Sequence, residues 1–211
     1  MSTIHKREKR CAICGRISQQ TEVASTNTFG SPDLDLRPPE MKRSTMVYWP
    51  ECCPDCGYTG YDIETRIGIS KEFLLSDTYT TCEGIQFTSK LAIRFYRIYL
   101  AAQRVGHHSW ATNALLHAAW ACDDAGDTEN AIHCRKLLIP YLQKQITADP
   151  QNAETLMVVK ADVMRRAGLF SQLAAEYAGI AFSENILNTV LAFELNKAAQ
   201  ADKACYTIAD L

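Results

Sequence analysis

Two short cysteine motifs near the amino terminus constrain this chain more than any other feature of its sequence. Both have the same spacing and end in glycine: Cys11-Ala-Ile-Cys14-Gly and Cys53-Pro-Asp-Cys56-Gly. Two intervening residues let both thiolates of a pair point into one corner of a tetrahedron, and glycine permits the tight turn that follows. Together the pairs supply four sulfur ligands. We therefore predict one structural Zn²⁺ site formed by these four cysteines.

Other uses of these cysteines remain open from the sequence. The chain has nine cysteines, and an odd number without a visible export signal argues against a disulfide framework. The two motifs could instead be separate redox pairs, or simply reduced cysteines. Cys52 could also replace a ligand, although Cys53 has the proper spacing to Cys56. A closed four-thiolate site leaves no position for water, so we expect it to hold structure and not to catalyse.

The charge balance gives no general attraction to nucleic acid or to acidic membranes. Lys and Arg number 22, Asp and Glu number 24, and the formal net charge is −2. A partner of either kind would need a local basic patch. No apolar run is long enough to span a bilayer, and the first ten residues are too polar for a signal-peptide core. We expect a cytoplasmic protein without membrane association.

The two halves of the chain have different sequence patterns. The first half, to about residue 85, holds most of the prolines, and its apolar runs are short, as at 47–49 and 61–63. These features predict small strands and loops. A segment with so few apolar residues needs another source of stability. A structural zinc site supplies apparent binding energy on the order of 10 kcal/mol to folding.

The second half, from about residue 86, has helical periodicity. Predicted helices cover 91–105, ending at Gly106, then 110–125, then a segment capped by Asp127 or Thr128, then 153–167, with one or two more between 171 and 209. Pro140 should kink or split the third of these. The fold class is therefore α+β, mostly α: a zinc-ribbon-like module over 1–85 and an antiparallel helical region over 86–211.

A faint internal repeat lies in the helical half. The pairs Ala125-Gly126 and Ala167-Gly168 each end one helix before another begins, and the segments 125–132 and 148–154 resemble the turn and closing segments of a tetratricopeptide (TPR) repeat. The spacing is longer than the usual period of about 34 residues. An ordinary helical bundle is the equal alternative, and both arrangements give stacked antiparallel helices.

A family resemblance rests on motifs between Cys11 and Tyr58. The segment Phe29-Gly-Ser-Pro-Asp-Leu-Asp-Leu-Arg-Pro-Pro-Glu-Met41, followed by Arg43-Ser-Thr-Met46, Trp49 and Cys53-Pro-Asp-Cys56-Gly-Tyr58, resembles the bacterial DUF2225 proteins. That family has an amino-terminal CxxCG, an Asp-rich stretch and a CPxCGY motif, often with a TPR-like helical tail. The resemblance implies a zinc-binding bacterial protein. It implies no established activity.

The segment Asp33-Leu-Asp-Leu-Arg37 alternates polar and apolar residues, which predicts a strand with its charges on one face. It could be a recognition surface, a weak divalent-cation site, or an Arg–Asp network that fastens the insert to the cysteine motifs. We favour the network.

Basic residues on one face of the first long helix raise a second possibility for function. Lys90, Arg94, Arg97 and Arg104 share that face, and zinc ribbons do serve in nucleic-acid binding. A charged stripe is more commonly a solvated face.

The main prediction is a non-enzymatic zinc-binding scaffold or adaptor that contacts another protein through its helices, because no catalytic motif is visible. His117 should be a core residue, and His133-Cys134 point in different directions on a helix.

Overall fold

The computed structural model describes residues 2–211, and it begins with two antiparallel hairpins that carry the cysteine pairs. Strands β1 (Thr3–Arg10) and β2 (Ile17–Ser25) form the first hairpin, and strands β3 (Glu51–Cys52) and β4 (Thr59–Gly60) form the second. Each cysteine pair lies in the turn of its hairpin. Gly15 and Gly57 follow the pairs with φ values of 77° and 73°, a left-handed conformation that glycine adopts without steric cost.

The insert between the hairpins departs from two predictions. No strand forms at 33–37: Asp33 makes a single isolated bridge, and the chain then turns, with the Asp33 amide donating to the Arg37 carbonyl at 2.9 Å. Leu36 lies in the left-handed region at φ 66°. The apolar run at 47–49, in the region predicted to form small strands and loops, instead lies at the end of the 3-10 helix Arg43–Tyr48.

Eight α-helices follow along the described chain. Two are short, α1 (Lys71–Leu74) and α2 (Asp77–Thr80), and the others are α3 (Lys90–Val105), α4 (His108–Asp124), α5 (Thr128–Ala148), α6 (Ala153–Arg166), α7 (Phe170–Tyr177) and α8 (Asn185–Ala199). The predicted ends are confirmed where they depend on caps. Gly106 ends α3 in the left-handed conformation, and the Asp127 side chain accepts from the Asn130 amide at the start of α5.

Pro140 does not split its helix. Helix α5 continues past it to Ala148. Of the two predicted outcomes, a kink or a split, the split is therefore wrong. Short turns join α3 to α4, α4 to α5 and α5 to α6, and each of these helices packs against the next. Connections this short place consecutive helices antiparallel.

Two apolar cores lie within this arrangement. The first joins Cys11, Tyr58 and Ile63 of the amino-terminal part to the buried faces of α3, α4 and α5. The second lies among α6, α7 and α8 and includes Leu34 of the insert. The predicted class, α+β and mostly α, is confirmed. The boundary at residue 85 stays a prediction, since the first core contains residues from both sides of it.

Residues after α8 return to the insert. The Leu34 amide donates to the Tyr206 carbonyl at 2.9 Å, and the Ile208 amide donates to the Pro32 carbonyl at 3.1 Å. Asp33 and Thr207 form an antiparallel bridge between these contacts. The insert is therefore held between the helices on one side and residues 206–208 on the other.

Within residues 2–211, none of the helices has the length and apolar content that a bilayer span requires.

Candidate metal centre

The two cysteine turns have the same backbone geometry. In each, the first cysteine bonds across the hairpin and accepts from the following glycine: Cys11 N to Arg16 O at 2.9 Å and Gly15 N to Cys11 O at 2.8 Å, then Cys53 N to Tyr58 O at 2.9 Å and Gly57 N to Cys53 O at 3.0 Å. The turn therefore places both thiols of a pair on the same side of the loop.

The four sulfur atoms converge between the two turns. Sγ of Cys11 lies 3.6 Å from Sγ of Cys56, and Sγ of Cys14 lies 3.6 Å from Sγ of Cys53. All four lie within 4.8 Å of one another. A tetrahedral zinc ion with Zn–S bonds of about 2.3 Å would separate its ligands by about 3.8 Å. The four cysteines that could hold a metal ion are therefore the four that the motif spacing predicted.

Backbone amides at the turns support the charged form of some thiols. Burial raises the pKa of Cys11, more than the amides of Cys14 and Ile13 lower it. Burial also opposes ionisation of Cys53, but hydrogen bonds from the amides of Cys56 and Asp55, with the neighbouring thiols, leave its pKa lowered. Thiolates are the metal-binding form of cysteine. Burial and the neighbouring thiols raise the pKa of Cys56, so the amides favour the thiolate most clearly at Cys53.

Cys52 lies outside the sulfur cluster. Its thiol faces the Cys53 carbonyl at 3.7 Å and the Gly57 carbonyl at 3.9 Å, and the Thr59 hydroxyl donates to it at 3.6 Å. It also lines a surface cavity of about 350 Å³ between β2, the second turn and Arg94. None of the nine cysteines is in a disulfide.

Side chains from outside the motifs hold the two turns. The Tyr79 hydroxyl of α2 donates to the Gly57 carbonyl at 3.2 Å and accepts from the Thr59 amide at 3.0 Å. The Ala12 amide donates to the Ile63 carbonyl at 2.8 Å, which joins the first turn to the segment after the second. Tyr79 is buried, so these bonds are shielded from water.

A buried lysine fastens the first hairpin to the second. Lys9 Nζ lies 2.6 Å from Glu22, 2.7 Å from Glu51 and 3.2 Å from Asp62. Burial alone would lower the pKa of Lys9, but the three carboxylates raise it above its ordinary value. Lys9 is therefore a structural cation that joins the two hairpins.

The charged insert is part of a buried network with the helices. Asp35, fully buried, accepts from Trp120 Nε1 of α4 at 2.8 Å and from Arg166 Nη1 of α6 at 2.9 Å. Arg166 and Arg135 of α5 both pair with Asp123, at 2.7 and 2.5 Å.

The predicted Arg–Asp network therefore exists, but it joins the insert to the helices and not to the cysteine turns. Arg37 pairs with Asp124 at the end of α4. Asp33 pairs with Arg43 at 2.5 Å. Cationic partners already occupy both insert carboxylates, which speaks against the alternative of a divalent-cation site.

A second buried charge cluster lies between α6 and α8. Arg165 bonds Asp162 at 2.8 Å and Glu194 at 2.5 Å, and it donates to the carbonyls of Asp202 and Ala204. Burial, with the neighbouring Asp162 carboxylate, raises the pKa of Glu194 to about 8. Arg165 lowers the pKa of Glu194 through its charge and its hydrogen bond, so burial outweighs the ion pair.

The basic face of α3 is partly engaged within the chain. Arg97 donates to the Thr80 carbonyl at 2.8 Å and lies over the Tyr79 ring at 5.7 Å, and Arg104 lies over the Phe73 ring at 5.8 Å. Lys90 and Arg94 are exposed. Two of the four predicted contacts for nucleic acid therefore also hold the short helices α1 and α2 in place.

The histidine predictions can be located in the fold. His117 accepts or donates a hydrogen bond of 2.8 Å to the Tyr61 hydroxyl among aromatic rings, and burial lowers its pKa to about 3. It is therefore a neutral core histidine. Cys134 is buried beside Cys122.

Comparison with known proteins gives no relative: no family model, no curated protein and no solved structure matches the chain. The DUF2225 resemblance stays a prediction.

Proposed function

We propose that this chain is a cytoplasmic zinc-binding scaffold or adaptor, not an enzyme, that contacts another protein through its helical half. One observation carries the proposal: four cysteine sulfurs from two glycine-terminated turns converge at distances that suit tetrahedral zinc. Free thiols in such number also suit a reducing compartment.

Bound zinc would fix the two turns relative to each other and would leave no coordination position for substrate. Tyr79 and the Asp35 network hold the turns and the insert against the helices. The sequentially packed helices α3–α6 would then present a stable surface to a partner. A TPR-like array and membership of the bacterial DUF2225 proteins fit this proposal.

Metal content tests the foundation of the proposal. Protein purified without added metal should contain about one zinc ion per chain, and the cluster thiols should become reactive only after chelation. An apoprotein whose nine thiols are all freely reactive would overturn the zinc assignment and favour redox pairs.

Nucleic acid is the second candidate, favoured by the exposed Lys90 and Arg94 on α3. Binding to an oligonucleotide that weakens with salt, and is lost in an Arg94→Glu, Arg97→Glu variant, would support it. A discrete protein that co-purifies from the native host after nuclease treatment would instead support the adaptor.

A further inference from the structure

The first hairpin ends in a strand edge with no partner among residues 2–211. Strand β1 pairs only with β2, and residues 3–8 are exposed. A two-stranded ribbon of this kind is marginal by itself in water. An edge with unpaired amides and carbonyls is also a template for another strand.

The register identifies which backbone groups point outward. Cys11 donates across the hairpin to Arg16, and β1 pairs residue by residue with β2 from Arg10↔Ile17 to Ile4↔Val23. Hydrogen-bonded and non-bonded pairs alternate in an antiparallel ladder. The amides and carbonyls of residues 5, 7 and 9 therefore bond to β2, and those of residues 4, 6, 8 and 10 face away from it.

One outward group already has a ligand from the same chain. The Arg10 amide donates to the Glu64 carboxylate at 3.1 Å. This contact confirms the outward direction, and it shows a carboxylate accepting from the β1 edge. The amides of Ile4, Lys6 and Glu8 continue the same edge beyond Glu64.

Charges around the edge are mostly positive and unpaired. Glu22 pairs with His5 and Lys9. Among the described residues, four other cations near β1 have no carboxylate within ion-pair distance: Lys6, Arg7, Arg10 and Arg16. Two acids lie along the edge: Glu8 on the strand and Glu64 against the Arg10 amide. Glu51 and Asp62 of the second hairpin are already paired with Lys9. The unpaired cations thus outnumber the acids along this row of outward backbone groups.

We propose that the outer edge of β1 binds an extended acidic segment of a partner protein, which adds to the hairpin as a third strand. Backbone bonds to residues 4, 6 and 8 give affinity in this mode, and side-chain charge selects the partner. The surface lies apart from the helices, so this inference goes beyond the proposed function and does not depend on it.

Two other occupants fit less well. A second copy of this chain would place one basic β1 against another, and like charges on paired strands are unfavourable. A phosphate backbone could accept from the outward amides, but it offers no donors to the outward carbonyls. A peptide strand satisfies both kinds of group.

Glu8 provides a variant that separates strand addition from simple charge attraction. Glu8→Pro removes an outward amide and also removes the one acidic charge within β1. Proline is tolerated at an edge position whose N–H faces solvent. Charge attraction alone predicts tighter binding of an acidic peptide, whereas strand addition predicts weaker binding. Glu8→Gln is the matched control, because it removes the charge and keeps the amide.

The experiment uses the full chain as purified and fluorescent peptides of about eight residues, a typical strand length. One peptide alternates glutamate and threonine, and its control alternates lysine and threonine. The acidic peptide should bind and the basic one should not. Glu8→Pro should weaken binding roughly fivefold, as for one lost backbone hydrogen bond, and Glu8→Gln should strengthen it about twofold. Metal analysis of each variant separates loss of the edge from loss of the sulfur cluster.

Amide hydrogen exchange of the unmodified chain gives an independent readout. Bound acidic peptide should slow exchange at Ile4, Lys6 and Glu8 and leave the already bonded amides of Arg7 and Lys9 unchanged. This result remains decisive if Glu8→Pro disturbs the hairpin. Unchanged exchange, equal binding of both peptides, or tighter binding of oligothymidylate than of the acidic peptide would each overturn the proposal.

Discussion

Two cross-links hold the amino-terminal part of this chain in place, and they differ in kind. The sulfur cluster joins the two hairpins through four identical side chains within residues 11–56. The Asp35 network joins the insert to α4, α5 and α6 through side chains that differ in type and lie far apart in sequence. The first uses a repeated local motif, and the second exists only once the helices have assembled.

The energetic consequences also differ. Free thiols are ordinary neutral groups, so the sulfur cluster is strongly stabilising only when a metal ion binds. The charges around Asp35 are buried whether or not a ligand is present, and they must satisfy one another. Loss of metal therefore weakens the first cross-link reversibly. Loss of a single arginine leaves an uncompensated carboxylate in the second.

The largest expected effect is loss of the sulfur cross-link. A Cys53→Ser, Cys56→Ser variant should retain no zinc and should lose apparent stability on the order of 10 kcal/mol, enough to unfold the amino-terminal part. Metal analysis and thermal unfolding measure this. Cys52→Ser is the matched control and should keep the metal. Full zinc content and unchanged stability in the double variant would show that the sulfurs are not a cross-link.

The Asp35 network should give the next largest effect. Arg166→Met removes the partner that Asp35 and Asp123 share, and it should cost about 3–5 kcal/mol in urea unfolding. Arg16→Met, at an exposed position, is the control and should change little. An Asp35→Asn, Arg166→Met double variant should be less destabilised than the sum of the single changes. Simple additivity would mean that the two side chains do not act together.

A smaller effect should follow from Trp120→Phe. The indole N–H bonds the buried Asp35 carboxylate at 2.8 Å, and its loss should cost about 1.5–3 kcal/mol, because the acceptor is charged. Trp49→Phe removes a neutral bond to the Thr45 hydroxyl at 3.1 Å and should cost about 0.5–1.5 kcal/mol. Equal losses in urea unfolding would contradict the assignment of charge to the Asp35 site.

A further expected effect is a change in pH dependence at the Arg165 cluster. The folded-state pKa of Glu194, about 8, lies above its ordinary value of 4.5. The folded chain therefore holds a proton that the unfolded chain releases, and this contribution to stability is full below pH about 4.5 and is lost as pH rises through about 8.

Glu194→Gln removes that titration. The urea midpoint of the unmodified chain should fall relative to that of the variant as pH increases from about 5 to about 8. Glu176→Gln, a half-exposed carboxylate paired with Lys160, serves as a control. Midpoints of the unmodified chain and Glu194→Gln that stay parallel across this range would show that Glu194 keeps an ordinary pKa when folded.

What could be predicted from the sequence follows the same division between local and assembled features. The cysteine spacing, the glycine after α3 and the cap at Asp127 depend on neighbouring residues, and the structure contains each of them. Hydrophobic periodicity located α3 to α6 because a helix that packs on a core must place apolar residues on one face.

Other features have no local signal. Strand β1 is exposed and charged, so its sequence does not alternate between apolar and polar residues as a half-buried strand does. The partners of Asp35 lie on three helices, and nothing near Asp35 identifies them. The segment 33–37 does alternate, but the positive φ of Leu36 turns the chain and places the flanking charges beneath the helices.

The contact between residues 206–208 and the insert has a consequence for how the protein is made. The insert leaves the ribosome early, but Tyr206 and Ile208, which complete its backbone bonds, are added much later. At about 5–20 residues per second the delay is on the order of ten seconds. During synthesis the charged side chains of the insert therefore stay solvated until the helices and residues 206–208 have been made. Assembly of this part must finish after translation has passed residue 208.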